Sequence, residues 1–87
     1  MSERKVTFLI DGEAYEVPLS ADLPLGEGKR FAVHQARVGS PLAPAQKWEV
    51  RDESSYLLNE STLIGDLVDR DKVTRVLLTL PVGSGGS

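Results

Sequence analysis

The chemistry this chain of 87 residues suggests most directly lies in two glycines near its C-terminus. Gly85 and Gly86 belong to Pro81-Val82-Gly83-Ser84-Gly85-Gly86-Ser87, which follows directly on the apolar run Val76-Leu77-Leu78-Thr79-Leu80. A residue without a Cβ enters slots closed to others and takes backbone angles they cannot. A Gly-Gly end that can thread a narrow slot suggests that the C-terminal carboxylate is itself the reactive group. The stretch Gly83 to Ser87 also has the composition of a flexible linker.

Other constellations are weaker. Asp52-Glu53 and Asp69/Asp71 are acid clusters in turn-forming stretches. Paired acids do acid–base work when burial separates their pKa values, and these are expected to be solvated. Gly26-Glu27-Gly28-Lys29 is not a phosphate loop, because that spacing needs Gly where Leu23 stands and Ser or Thr at Arg30. His34 is the only histidine and falls on one helical stripe with Arg30 and Arg37. A solvated basic face is the first reading of that stripe, and a dock for an acidic partner the sharper one. With no cysteine there are no disulfides, zinc–thiolate sites or thiol nucleophiles. No metal or resident cofactor is expected, and the protein is not expected to be an enzyme.

These residues need a small scaffold. Lys5-Val6-Thr7-Phe8-Leu9-Ile10 reads as a strand with Val6, Phe8 and Ile10 on one face. Asp11-Gly12 signals a tight hairpin, and Ala14 to Leu19 forms its second arm, with Tyr15, Val17 and Leu19 sharing a side. Pro18 cannot donate to a ladder, which places this arm at an edge. From Leu25 to Val38 the spacing becomes helical: Leu25, Ala32, Val33 and Ala36 cluster, with Phe31 and Val38 beside them. Asp22 is the expected cap. Gly26 and Gly28 are expected to fray the first turn, and Gly39 and Pro41 to end the helix. Gln46 to Arg51 alternates as a strand with Trp48 and Val50 inward. Tyr56-Leu57-Leu58 reads as a short strand, and Thr62 to Leu67 as a brief helical turn capped by Ser61 or Thr62. Asp69 to Lys72 reads as a charged turn. Val73 to Leu80 is the last strand, with Val76, Leu78 and Leu80 facing the core. Its apolar residues on both faces predict a central position. One hairpin, one helix and further strands make an α+β layout, with the helix across one face of the sheet.

In this order the elements resemble the β-grasp of ubiquitin-like modifiers, and more narrowly the bacterial ubiquitin-like proteins of conjugation operons. The carrying residues are Val6-Thr7-Phe8-Leu9-Ile10-Asp11-Gly12-Glu13, Lys47-Trp48-Glu49-Val50-Arg51-Asp52 with Leu57-Leu58, and Val76-Leu77-Leu78-Thr79-Leu80 before the glycine tail. The resemblance implies a four- to five-stranded mixed sheet on one helix over residues 1–80, and a flexible tail over 81–87. It implies a protein tag that catalyses nothing. It implies that a protease first removes Ser87, with Gly83 a second possible cleavage point, and that a partner activating enzyme then adenylates Gly86 with ATP. The acyl group then passes through a conjugating enzyme to a target amine as an isopeptide bond, and a protease processes or removes the tag. Pro81 to Gly86, extended, reaches about 20 Å, enough to thread a buried adenylation site.

Arg75, Leu77, Val82 and Gly83 are the expected docking surface for the activating enzyme. Trp48 is expected in the core. Lys5, Lys29, Lys47 and Lys72 are the lysines on which a further copy could be built, and the sequence does not choose among them. Two other functions fit the same frame. One is a sulfur carrier whose Gly-Gly end becomes a thiocarboxylate; the other is a non-covalent module whose tail is only a linker. No stretch approaches the ~18–20 apolar residues of a membrane span. The net charge of −3 with scattered positives disfavours nucleic acid. A monomer in the cytoplasm is the expected setting.

Overall fold

In a computed structural model, residues 3–36 and 44–81 are described. Four strands, β1 (Glu3–Ile10), β2 (Glu13–Ser20), β3 (Glu49–Arg51) and β4 (Arg75–Thr79), form one sheet in the order β2-β1-β4-β3. The helix α1 (Leu25–Ala36) lies across one face. β1 pairs antiparallel with β2 and parallel with β4, and β3 pairs antiparallel with β4. The hairpin turns at Asp11 and Gly12, with φ of 55° and 85°. Both are left-handed values, which Asp tolerates and Gly takes freely. The strand carrying Pro18 is an edge, and β4 is central with β1, as the sequence predicts.

The core lies between the sheet and α1. Val6, Phe8, Ile10, Val17 and Leu19 come from the hairpin, Leu25, Ala32, Val33 and Ala36 from α1, and Trp48, Val50, Val76 and Leu78 from the other strands. Ile64 and Leu67 close one end. Burial of a large apolar side chain contributes about 1.5–3 kcal/mol, so this cluster is the main term holding the domain together.

Several elements depart from expectation. Asp22 does not cap α1. The first helical N–H groups donate instead to backbone carbonyls of a distant segment: Leu25 to Thr62 at 2.8 Å and Gly26 to Glu60 at 2.9 Å. Ile64 and Gly65 donate back to Leu23 and Ala21. Gly28 does not loosen the helix start. It is buried, and a Cβ there would lie 2.7 Å from Leu19 Cδ1 and 3.1 Å from Phe8 Cζ, so the glycine lets α1 approach the sheet closely. The strand expected from Gln46 is shortened to Glu49–Arg51 by a 3-10 turn at Ala45–Lys47. Tyr56-Leu57-Leu58 makes only an isolated bridge, Leu57 to Arg51. The turn expected over Thr62–Leu67 extends into a π-helical segment at Asp66–Arg70, with no side-chain cap. The last strand begins at Arg75, not Val73. Leu80 lies past its end and is exposed, and Phe31 is also outside the core. Val38, Gly39 and Pro41 lie outside the described residues.

Gly65 sits where segment 60–65 crosses residues 21–25. A Cβ there would lie 2.9 Å from Ala21 Cβ and 3.2 Å from the Ala21 carbonyl oxygen. Backbone cannot swing aside as a side-chain tip can. Gly65→Ala is therefore expected to lower stability by about 1–3 kcal/mol, read as a lower denaturation midpoint with an unchanged m-value.

Candidate functional site: the outer face of the sheet

Strand alternation sends Val6, Phe8, Ile10, Val76 and Leu78 inward, so Thr7, Leu9, Arg75 and Leu77 face away from α1. Register then aligns these residues across strands. Leu9 stands opposite Leu77 on one side and Ala14 on the other. Leu77 also stands opposite Arg51, and Arg51 bridges to Leu57, which is 60% exposed. The result is a cross-sheet row Ala14–Leu9–Leu77–Arg51–Leu57 on the face left open by the helix. Direct cross-strand neighbours lie within side-chain contact, so Leu9 and Leu77 make one half-buried apolar patch rather than two isolated residues.

Polar groups border it. On one side Thr7 stands opposite Arg75 and Glu16, and Arg75 Nε lies 3.6 Å from Glu53 Oε2. On the other side Glu49 stands opposite Thr79. Arg51 Nη2 donates to Glu49 Oε1 at 3.0 Å, and its Nη1 donates to the Ser55 carbonyl at 2.9 Å. Exposed pairs of this kind contribute 0–1 kcal/mol to stability. Their effect is to orient guanidinium groups beside an apolar strip, the layout of a docking face with a charged rim.

The aspartates of the acid clusters are engaged in ion pairs and turn hydrogen bonds. Asp69 accepts two hydrogen bonds from Arg4, 3.0 and 2.7 Å. Asp71 accepts two from Arg70, 2.9 and 3.2 Å. Asp52 accepts backbone N–H bonds from Ser54 and Tyr56 and shapes its turn. Hydrogen bonds from Arg4 hold the Asp69 carboxyl below its ordinary range, helped by the charges of Arg4 and Lys72 and opposed by desolvation. A carboxyl depressed in the folded state adds stability above its unfolded pKa, near 4, and that increment is lost as pH falls through the folded value. Asp69→Asn is accordingly expected to be less stable than the parent at neutral pH, with the gap closing below about pH 4. Urea midpoints across an acid series check this.

Of the residues the sequence singles out for docking, Arg75 and Leu77 lie together on the outer face. Val82, Gly83, Gly85, Gly86 and Ser87 lie outside the described residues. Leu9, Ala14 and Leu57 were not singled out. The signal available for Leu9 is that it is a leucine on the outward phase of a strand, as Leu77 is. Among the lysines, Lys5, Lys47 and Lys72 are exposed, whereas Lys29 is buried and ion-paired.

No protein-family model matches this chain, and no curated protein does. Solved structures match along nearly its whole length. Ubiquitin from Caldiarchaeum subterraneum superposes with a TM-score of 0.69 at 11% identity, covering 97% of this chain and 100% of that one. The ubiquitin-like domain of EccD5 from Mycobacterium xenopi gives 0.66 at 14% identity, covering 93% and 97%. A designed protein based on ubiquitin gives 0.68 at 14%, covering 98% and 96%. The chain has the ubiquitin-like fold: a four-stranded mixed sheet with one main helix, the α+β β-grasp. No helix among the described residues is long and apolar enough to cross a membrane.

Proposed function

We propose that this chain is a ubiquitin-like protein modifier, of the kind bacterial conjugation operons supply, whose Gly86 carbonyl is activated and transferred to amines of other proteins. One observation supports it above the others. β4 carries Arg75 and Leu77 on the open face and ends at Thr79, with only Leu80 between it and Pro81, where the sequence runs on into the glycine tail. The docking face therefore lies on the strand from which the reactive end follows in sequence. An enzyme seated on Leu77 has the chain end within the tail's reach of about 20 Å. Removal of Ser87 frees the Gly86 carboxylate. A partner enzyme joins it to the AMP of ATP, releasing pyrophosphate, and an enzyme side chain displaces AMP. A target amine then displaces that side chain, losing a proton as the amide forms. The chain itself supplies only the carboxylate and the surface.

The outer-face row is complete without the tail, and this favours a second reading, a non-covalent binding module of the same fold. Intact mass of the purified chain after incubation with ATP and an extract of its own cells separates the two. Loss of Ser87 together with protein adducts is expected. Full-length, unmodified protein would contradict the modifier reading.

A further inference from the structure

We propose a second protein-docking site on the opposite side of the molecule, a groove between α1 and the 3-10 turn that takes an acidic segment of another protein bearing one large apolar side chain. The groove, about 560 Å³, is shallow and open. Its apolar floor is Phe31, Val33, Pro44 and Ala45. Phe31 is 52% exposed in the middle of a helix whose other aliphatic residues are buried. An aromatic ring half in water adds little to the core. Beside a concave surface it is the kind of residue that anchors an interface.

Charge decides the partner. The protein as a whole carries −3, and the charged groups lining this wall are Arg30 and the single acid Glu27, with the His34 ring one helical turn from Arg30. Arg30 meets Glu27 only at 3.4 Å and stays 69% exposed, so its guanidinium is available. Lys47 is exposed at the end of the 3-10 turn. The nearby acid Glu60 is occupied by Lys29. Arg30 and Lys47 beside an apolar floor, on an otherwise acidic molecule, favour an acidic partner. The site shares no residue with the outer-face row, so both could be occupied at once.

The test is a titration of the 15N-labelled full chain with the synthetic peptide acetyl-Asp-Glu-Phe-Leu-Asp-Glu-amide, and with its Asn/Gln analogue. Saturable shifts of the Phe31, His34 and Gln46 amides by the acidic peptide are expected, with Leu9 and Leu77 unmoved. Phe31→Ser and Arg30→Glu are each expected to weaken binding about tenfold or more, the effect of losing one interface anchor. Both side chains are exposed, so the far-UV spectrum should not change. The proposal is overturned by no saturable shift at millimolar peptide, by equal binding of the neutral analogue, or by shifts confined to the outer-face row.

Discussion

Lys29→Met is expected to cost about 3 kcal/mol of folding stability, the largest loss from any single charged residue here. Lys29 is 5% exposed. Its Nζ donates to the Trp48 carbonyl at 3.0 Å and reaches both carboxylate oxygens of Glu60, 2.8 and 2.9 Å. The ammonium thus ties α1 to the start of β3 and to the segment that caps α1. Methionine fills the stem's volume but leaves the carbonyl without this donor and Glu60 without its cation. Breaking a buried pair costs about 3–5 kcal/mol. The lower end applies because the Glu60 side chain is 42% exposed and can rehydrate. A urea midpoint within error of the parent would refute this role. The same geometry removes Lys29 from the lysines that could accept a second copy, since its nucleophilic nitrogen is enclosed. A small acylating reagent applied to folded protein should modify Lys5, Lys47 and Lys72 and spare Lys29.

Leu77→Ser is expected to leave folding nearly intact and to lower the activating enzyme's kcat/KM for this substrate about 30-fold. Leu77 faces outward from a central strand, so its loss empties no core cavity. The stability change should stay near the ~1 kcal/mol span of strand preferences. An anchor at the centre of an interface is worth 2 kcal/mol or more, about 30-fold in affinity. Initial rates of pyrophosphate release, with circular dichroism of the variant, separate binding from folding. Unchanged kinetics would remove the outer face from the account.

The fold was legible where short-range rules suffice. Val6, Phe8 and Ile10 mark β1 by alternation, Asp11-Gly12 marks the turn, and Leu25 to Ala36 marks the helix. β4 was legible as central because Leu77 breaks the one-face pattern. What was not legible depends on contacts distant in sequence. The N–H groups of Leu25 and Gly26 find carbonyls at Thr62 and Glu60, so no local cap was needed and Asp22 was a false signal. Gly28 reads as a weak helix former until Phe8 and Leu19 are seen beneath it. Lys29 reads as a surface lysine until Glu60 and Trp48 enclose it. Phe31 reads only as a flank of the apolar stripe, because hydrophobicity alone cannot say whether a neighbour covers that flank. At the candidate site, Leu77 and Arg75 were visible from one strand, but the row through Leu9 and Leu57 exists only once the parallel β1–β4 register is known.

The most direct test of the central claim, that the Gly86 carbonyl is what this protein delivers, is the linkage itself. Trypsin cuts after Arg75, and no Lys or Arg follows it. A target lysine joined to this chain must therefore carry the remnant Val76–Gly86 on its side-chain nitrogen. Mass spectrometry of tryptic digests from cells expressing the chain should find lysines bearing that remnant, with Ser87 absent. Recovery of only the linear peptide Val76–Ser87, with no branched species, would contradict the account.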